Sequence, residues 1–371
     1  MTCREVRDSC RGPIRRAWSF ALCLGLSISG GGLTAQDGGD AQDWRAAARE
    51  RLEQFRKQNE IPGMSAAIGV GEAIPFADGF GTADVENDVP ATAATVYRLA
   101  SISKPITAVC ALRLVEQGRL DLDAPVSQLV EAWPAKRWPV TTRQLLGHLG
   151  GVRHYKPLEG ESTRHYATQT LALERFRDDP LLHEPGSKYR YTTFGYNLAA
   201  AVVEARAGAA FPRVVQELVS EPSGALTLQD DDVRRIIKHR AQGYRRVAGR
   251  LQNSVLMDGS YKLGGGGLCS NAPDLVRFGQ ALLHGKLVQP ETLAKMWTEQ
   301  RTTGGAGTGY GLGFGIAERS GHREISHTGA QSRVSTVLYM RPDSAVVVVI
   351  LCNLQGQRLR GLARELAQLA E

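Results

Sequence analysis

The spacing of apolar residues changes period along the chain, and each change marks an element. Between Asp43 and Asn59, Trp44, Ala48, Leu52 and Phe55 fall on one stripe with charges elsewhere, which predicts an amphipathic helix. Ile61-Pro62-Gly63 breaks it. Met64, Ala66, Ile68 and Val70 then alternate with small residues, and Ala73 to Gly81 follows Gly71-Glu72, so the pattern predicts a strand, a turn and a partner strand. From Ser101 the period lengthens. Ile106, Val109, Cys110, Leu112, Leu114 and Val115 fit a largely buried helix closed by Gly118. The pattern stays mostly helical to about Leu256, most clearly over Tyr191 to Ala207 and Phe211 to Val219. Gly264 to Gly267 reads as a flexible or tightly turned loop, and Asn271 to Leu283 as a helix capped by Ser270 or Asn271. Tyr310 to Ala317, Glu324 to His327, Val334 to Met340 and Val346 to Leu351 return to strand patterns, and Leu359 to Leu369 closes with a helix. Strands from both ends of the chain are therefore expected to share one sheet, with the helical middle as a second lobe. The expected division is an α/β lobe over about 44–100 and 260–371 and a helical lobe over about 101–259.

Composition adds little to that picture. At 371 residues, 42% hydrophobic and 22% charged, the chain is ordinary globular material with enough length to bury a sizeable core. The formal net charge is +7, but Arg4, Arg7, Arg11, Arg15 and Arg16 supply much of it from the N-terminus. Arg234, Arg235, Lys238, His239 and Arg240 form the richest basic cluster. Asp230, Asp231 and Asp232 precede it directly, so it reads as a solvated helical face, and no nucleic-acid partner is implied. Residues 1–35 read as an export leader: a basic stretch to Arg16, an apolar run from Ala17 to Ile28, then Leu33-Thr34-Ala35 as a small-residue cleavage site. Residues 36–43 read as a polar linker. The expected location is periplasmic or extracellular, or anchored if the leader stays uncleaved. Cys110, Cys269 and Cys352 outside the leader are widely spaced with no CxxC pair, so buried free thiols are expected and no metal or cofactor is implied.

Three short segments carry candidate chemistry. In Ser101-Ile102-Ser103-Lys104 the hydroxyl and the amine are three residues apart, on one side of a helical turn, so Lys104 can take the Ser101 proton and make a nucleophile of it. No other lysine in the chain has a serine three positions before it. Tyr191-Thr192-Thr193 offers a phenol that can relay a proton to a leaving group, although Tyr189 and Tyr196 flank it with the same packing role available to all three. His327-Thr328-Gly329 precedes a strand. There Gly329 lets a substrate backbone approach, His327 and Thr328 can hold a carboxylate or amide, and the N–H of Ala330 can complete an oxyanion hole with that of Ser101. A G-x-S-x-G elbow, an H-E-x-x-H pair and a Walker loop are all missing from the sequence.

These pieces stand in the order of S-x-x-K enzymes with a late K-T-G-like strand. With Arg98-Leu99-Ala100-Ser101-Ile102-Ser103-Lys104-Pro105, Gln144-Leu145-Leu146-Gly147-His148-Leu149-Gly150-Gly151, Gly265-Gly266-Gly267-Leu268 and Tyr310-Gly311-Leu312-Gly313-Phe314, the chain resembles the serine β-lactamase and D-alanyl-D-alanine peptidase superfamily, in its class C-like branch. Gly151-Val152-Arg153-His154-Tyr155, Phe176-Arg177-Asp178-Asp179-Pro180-Leu181 and Tyr191 to Tyr196 resemble most the mitochondrial serine β-lactamase-like proteins and their bacterial relatives. The resemblance implies an α+β, β-lactamase/transpeptidase-like fold, an antiparallel sheet flanked by helices beside an all-helical lobe. It implies Ser101 as the acylated nucleophile, Lys104 and Tyr191 as proton shuttles, and His327, Thr328, Gly329 and Ala330 as the substrate-side strand.

Three departures stand out. Thr193 replaces a frequent Asn and removes an amide that can orient Lys104. Gly150 replaces a Ser. His327 replaces the Lys of true β-lactamases and turns a fixed charge into a titratable one. Peptidase, amidase or esterase chemistry is therefore expected ahead of β-lactamase or penicillin-binding activity, with a non-hydrolytic binding or assembly module of the same fold as the alternative. The partner implied is a small-molecule or peptide substrate, with membrane contact only through an uncleaved leader and self-association carried over from the relatives.

Overall fold

The computed structural model describes residues 43–157 and 159–371. The expected leader over 1–35 and all of the linker except Asp43 lie outside the described residues. Asp43 itself belongs to the first helix, α1 (Trp44–Gln58), where its carboxylate caps the N–H of Arg45.

Seven strands make the main sheet. β1 (Gly63–Val70), β2 (Ala73–Asp84) and the short β3 (Val89–Pro90) come from the N-terminal end. β4 (Gly315–Arg319), β5 (His322–Gln331), β6 (Val334–Arg341) and β7 (Val346–Cys352) come from the C-terminal end. Their order is β3-β2-β1-β7-β6-β5-β4, antiparallel throughout, and the two chain ends meet where Met64 pairs with Cys352 and Val70 with Val346.

Both faces of this sheet are covered, which explains why β7 reads as an unbroken apolar run. Val346, Val348, Ile350 and Cys352 pack with Ala48 and Leu52 of α1 and with Leu362 and Leu366 of the C-terminal helix Arg360–Ala370. Val347, Val349 and Leu351 turn the other way, into the core shared with Leu275, Val276 and Phe278 of the Ala272–Leu283 helix. Asn271 caps that helix, its side chain accepting from the N–H of Asp274.

The helical half rests on two long buried helices, α2 (Ser103–Glu116) and α3 (Thr193–Ala207). The expectation of helix as far as Leu256 fails past residue 228. That segment instead holds a two-residue strand at Gln229–Asp230 and a hairpin of Tyr244–Val247 with Arg250–Asn253. The Arg234–Arg240 cluster is likewise not helical. Its arginines turn back onto the preceding carboxylates, Arg234 onto Asp232 and Arg240 onto Asp231, and those local ion pairs stand in place of helical periodicity. Tyr310 to Phe314 is irregular where a strand was expected, and β4 starts only at Gly315. Among the described residues no helix is long and apolar enough to cross a membrane. Cys110, Cys269 and Cys352 are free and buried, and burial pushes the Cys110 and Cys352 thiols up to about 12.

A small sheet sets the site. Leu268–Ser270 pairs on one side with Tyr97–Arg98 and on the other with Gln229–Asp230. It thereby clamps the segment before Ser101 to the glycine segment at 264–267, which is a helical turn (Leu263–Gly266) and no open loop.

Candidate active site

Ser101 sits in a 3₁₀ turn, Ala100–Ile102, and α2 begins only at Ser103, two residues later than the apolar period suggested. The turn is held from behind. The Thr336 hydroxyl of β6 donates to the Leu99 carbonyl at 2.9 Å, and the Leu99 N–H donates to the Leu268 carbonyl at 2.8 Å. Ala100 takes a φ of +48°, a left-handed conformation costly for a residue with a Cβ, directly before Ser101.

Lys104 follows one turn on and is fully buried. Its Nζ lies 3.0 Å from Ser101 Oγ, 3.3 Å from Thr193 Oγ1 and 2.7 Å from the Gly265 carbonyl. Burial, helped by the nearby charge of Lys262, holds its pKa well below the usual lysine range. A neutral amine carries two hydrogens and one lone pair. The two hydrogens suit Gly265 O and Thr193 Oγ1, which leaves the lone pair facing the Ser101 hydroxyl. The three contacts thus match the form able to accept a proton. Thr193 therefore fills the orienting role that its replacement of Asn seemed to remove.

The glycine turn makes this possible. A methyl on Gly264 would stand 2.5 Å from the Ala200 Cβ, and one on Gly265 would stand 2.4 Å from Thr193 Cγ2. Without side chains the turn packs directly on α3, and Thr107 and Lys104 receive the carbonyls of Gly264 and Gly265.

Tyr191 lies just ahead of α3, whose cap is Thr192. Its ring centroid is 4.8 Å from Lys104 Nζ. Burial raises its pKa and keeps the phenol protonated, while the Ser101 hydroxyl beside it opposes the shift in part. His148 braces it. This fully buried ring lies 4.3 Å from the Tyr191 ring, and its Nδ1 accepts from the Thr192 N–H at 3.2 Å. Tyr196 is buried and donates to the Leu146 carbonyl at 2.6 Å, which makes it a packing residue. Tyr189 remains 39% exposed at the cleft rim.

The residues expected on the substrate side, His327 to Ala330, lie on β5. Pairing with β4 ends at Ser326–Gly315, so His327 to Gln331 present an unpaired edge beside Ser101. Gly329 has a reason beyond substrate access. A Cβ there would meet Thr336 Oγ1 at 2.1 Å, the Leu99 carbonyl at 2.4 Å and the Ala100 Cβ at 3.1 Å, so the glycine lets the nucleophile turn touch the sheet. Ala330 is exposed on the alternate face of the strand.

His327 differs from expectation. Its Nε2 is 2.9 Å from the Tyr310 hydroxyl and its Nδ1 is 2.8 Å from the Thr328 carbonyl, so both ring nitrogens are engaged inside the protein. Burial, with Lys104 and Arg360 nearby, depresses its pKa to about 3. It is a neutral hydrogen-bonding group at ordinary pH and supplies no charge for a carboxylate. The cation in that cavity is Arg360, which lines it with Tyr189, Tyr191, Tyr310, His327 and Thr328 in a volume of about 250 Å³. Sequence reading missed Arg360 because it stands 33 residues from His327, at the start of the last helix, with no motif around it.

The chain as a whole matches known proteins. A family model described as Beta-lactamase matches residues 48–371. The mitochondrial serine beta-lactamase-like protein LACTB of Homo sapiens is 28% identical, over 86% of this chain and 78% of its own. Esterase EstB of Burkholderia gladioli is also 28% identical, over 74% of this chain and 80% of its own. The solved octameric penicillin-binding protein homologue from Pyrococcus abyssi superimposes with a TM-score of 0.77 at 26% identity, covering 88% of this chain and 77% of that one.

Proposed function

Because this chain belongs to the β-lactamase family of serine hydrolases, we propose that it is an acyl-enzyme hydrolase of the S-x-x-K type, acting on a peptide, amide or ester. One observation carries the reading: a buried, deprotonatable Lys104 amine 3.0 Å from Ser101 Oγ, with its two other contacts taken by Gly265 and Thr193.

In the proposed cycle Ser101 Oγ attacks the substrate carbonyl carbon while its proton passes to Lys104 Nζ. The N–H groups of Ser101 and Ala330 receive the developing oxyanion. As the tetrahedral intermediate collapses, the bond to the leaving nitrogen or oxygen breaks, and that atom takes up a proton through Tyr191, which Lys104 replenishes. A water then attacks the ester carbonyl on Ser101 as its proton passes to the same pair; the acyl–Oγ bond breaks, the pair returns that proton to Ser101 Oγ, and the acid leaves.

The neutral His327 is the reason to place peptidase, amidase and esterase activity ahead of β-lactamase activity, since no fixed charge stands at that strand position. The presence of esterase EstB among the relatives is consistent with this order. Self-association is proposed by analogy with the octameric homologue, and export from the leader-like N-terminus.

Intact-mass spectrometry after exposure to a fluorophosphonate and, separately, to a penicillin tests the chemistry. A single adduct that disappears in Ser101→Ala is expected, formed faster with the fluorophosphonate. Folded protein that takes neither label would overturn the hydrolase reading, and faster penicillin trapping would reverse the order of activities.

A further inference from the structure

A second cavity, of about 510 Å³, lies at the other end of the substrate strand from His327, and Arg98, Arg240, Arg333, Asp258 and Met257 help line it. Its charges are unevenly paired. Asp231 is shared by two arginines, Arg98 Nε at 2.6 Å (close, but misaligned for a hydrogen bond) and Arg240 at 3.1 Å. Asp258 accepts from the Ser260 N–H at 2.8 Å and faces His165 Nδ1 at 2.9 Å. Glu161, nearby, accepts from the Ser332 hydroxyl.

Arg333 has no carboxylate within ion-pair distance among the described residues, although it is 92% buried; its Nε donates to the Val255 carbonyl at 2.9 Å. Behind Met257 lies Lys262, 98% buried, whose Nζ is 3.4 Å from the Met257 sulfur and otherwise faces the rings of Tyr155 and Tyr261. Asp231 acts on both cations only from a distance; two withdrawn cations without a direct ion-pair partner are costly to the fold, and a bound anion is the simplest compensation.

The fold makes room for this arginine. Arg333 occupies the β5–β6 hairpin turn with a φ of +85°, where glycine would sit without strain. Opposite it is Gly243, at which a Cβ would fall 2.1 Å from the Arg333 Cβ. The turn therefore tolerates backbone strain, and the facing segment gives up a side chain, to set this guanidinium in the wall.

The segment behind the cavity also reaches the nucleophile turn. A methyl on Gly266 would stand 3.4 Å from Gln331 Oε1, 3.7 Å from the Ala100 carbonyl carbon and 3.7 Å from Lys262 Cδ, which puts all three around one point beside the nucleophile turn. Gln331 is two positions past Gly329, about 7 Å along the strand. Tyr191, the proposed proton donor to the leaving group, stands at the His327 end, with ring centroids 6.3 Å apart. The leaving group then lies toward His327, and the acyl part of the substrate extends along the free edge of β5 toward Arg333.

We infer that this cavity is an anion subsite, centred on Arg333 and backed by Arg98, Arg240 and Lys262, that takes a carboxylate carried on the acyl side of the scissile bond. The inference rests on the proposed acyl-enzyme reading for its direction along the strand. The substrate class it names is an acyl chain ending in a carboxylate about one or two residues' length from the reacting carbonyl, such as an N-succinyl or an acidic peptidyl group.

Calorimetric binding to the Ser101→Ala protein tests it without relying on turnover. The probes are N-succinyl-alanine p-nitroanilide and the methyl ester of its succinyl carboxylate. The free acid is expected to bind at least about tenfold more tightly than the ester, as a charge-assisted contact to a buried cation implies. Adding Arg333→Gln should bring the ratio close to one. Equal affinity of acid and ester, or a preference that survives Arg333→Gln, would overturn the inference. The acid–ester comparison is made in protein that keeps Arg333, so it stands even if Arg333→Gln fails to fold. Fluorophosphonate labelling of wild-type Ser101 reports separately on the hydrolase reading. A carboxylate preference without labelling would retain the subsite and discard the chemistry.

Discussion

The turn that buries Lys104 and the turn that buries Lys262 lie near enough for one charge to act on the other, and they treat the same side chain in two ways. Lys104 loses all solvent and meets three oxygens, one of them the Ser101 hydroxyl. Lys262 loses nearly all solvent and meets a thioether and two aromatic faces. Desolvation is the largest cause of a lowered pKa in both, bringing Lys262 to about 7. What separates them is the company each amine keeps. Oxygens placed to accept two hydrogens leave a directed lone pair on Lys104, whereas a soft, weakly accepting wall leaves Lys262 without an oxygen partner, so that an anion there would favour its charged form.

The strongest test of this contrast is to remove each amine. Lys104→Ala is expected to lower kcat/KM by about 10³-fold, within the usual worth of a positioned acid–base group, with the fold retained by circular dichroism. A loss of only a few fold would mean that another group takes the serine proton. Lys262→Met should act chiefly on stability. The folded pKa of Lys262 is about 7 against 10.5 for a free lysine, so the unfolded chain holds the extra proton between those values. Stability tied to this group therefore rises as pH increases from about 7 to about 10.5, and the full burial penalty applies below about 7. Lys262→Met should accordingly stabilise the protein on the order of 5 kcal/mol at pH 6 and scarcely at all above pH 10.5, read from urea midpoints at the two pH values. A saturating dicarboxylate should shrink the gain at pH 6, which sharpens the contrast with Lys104 further.

Smaller effects probe how the nucleophile turn is seated. Gly329→Ala should cost about 1–3 kcal/mol in thermal unfolding, because the new methyl meets the Thr336 hydroxyl and the Leu99 carbonyl together. It should also slow Ser101 labelling, since the turn must move to make room. Unchanged labelling would show that the turn is not braced by the sheet. Thr193→Val removes the 3.3 Å contact to Lys104 Nζ, worth about 0.5–1.5 kcal/mol, along with a contact to the Tyr155 phenol, and should slow acylation several-fold with little change in substrate affinity.

Much of this molecule was legible before any coordinates. The alternation in Met64–Val70 and the solid apolar run at Val346–Leu351 belong to adjacent, doubly covered strands, and the sheet pairs them as neighbours. The Asp43 and Asn271 caps fall where polar residues precede apolar stripes. Legibility failed between residues 229 and 256, where ion pairs between neighbouring arginines and aspartates, together with a short hairpin, replace a helix. At the site, Ser101 and Lys104 were readable from their spacing. Arg360, His148 and the carbonyl of Gly265 were not, since nothing in their own neighbourhoods distinguishes them.

Sequence alone determined what depends on short range: the period of each element, its caps, and a serine and lysine three residues apart on one turn. Tertiary structure decided the electrical state of those groups. The Gly265 carbonyl reaches Lys104 from 161 residues away, and Tyr310 and the Thr328 carbonyl occupy both nitrogens of His327. Hydrophobic period and helical spacing follow from bond geometry within a few residues. Desolvation and the presence or absence of a counter-ion depend on which distant segments close around a side chain, and only the folded packing sets that.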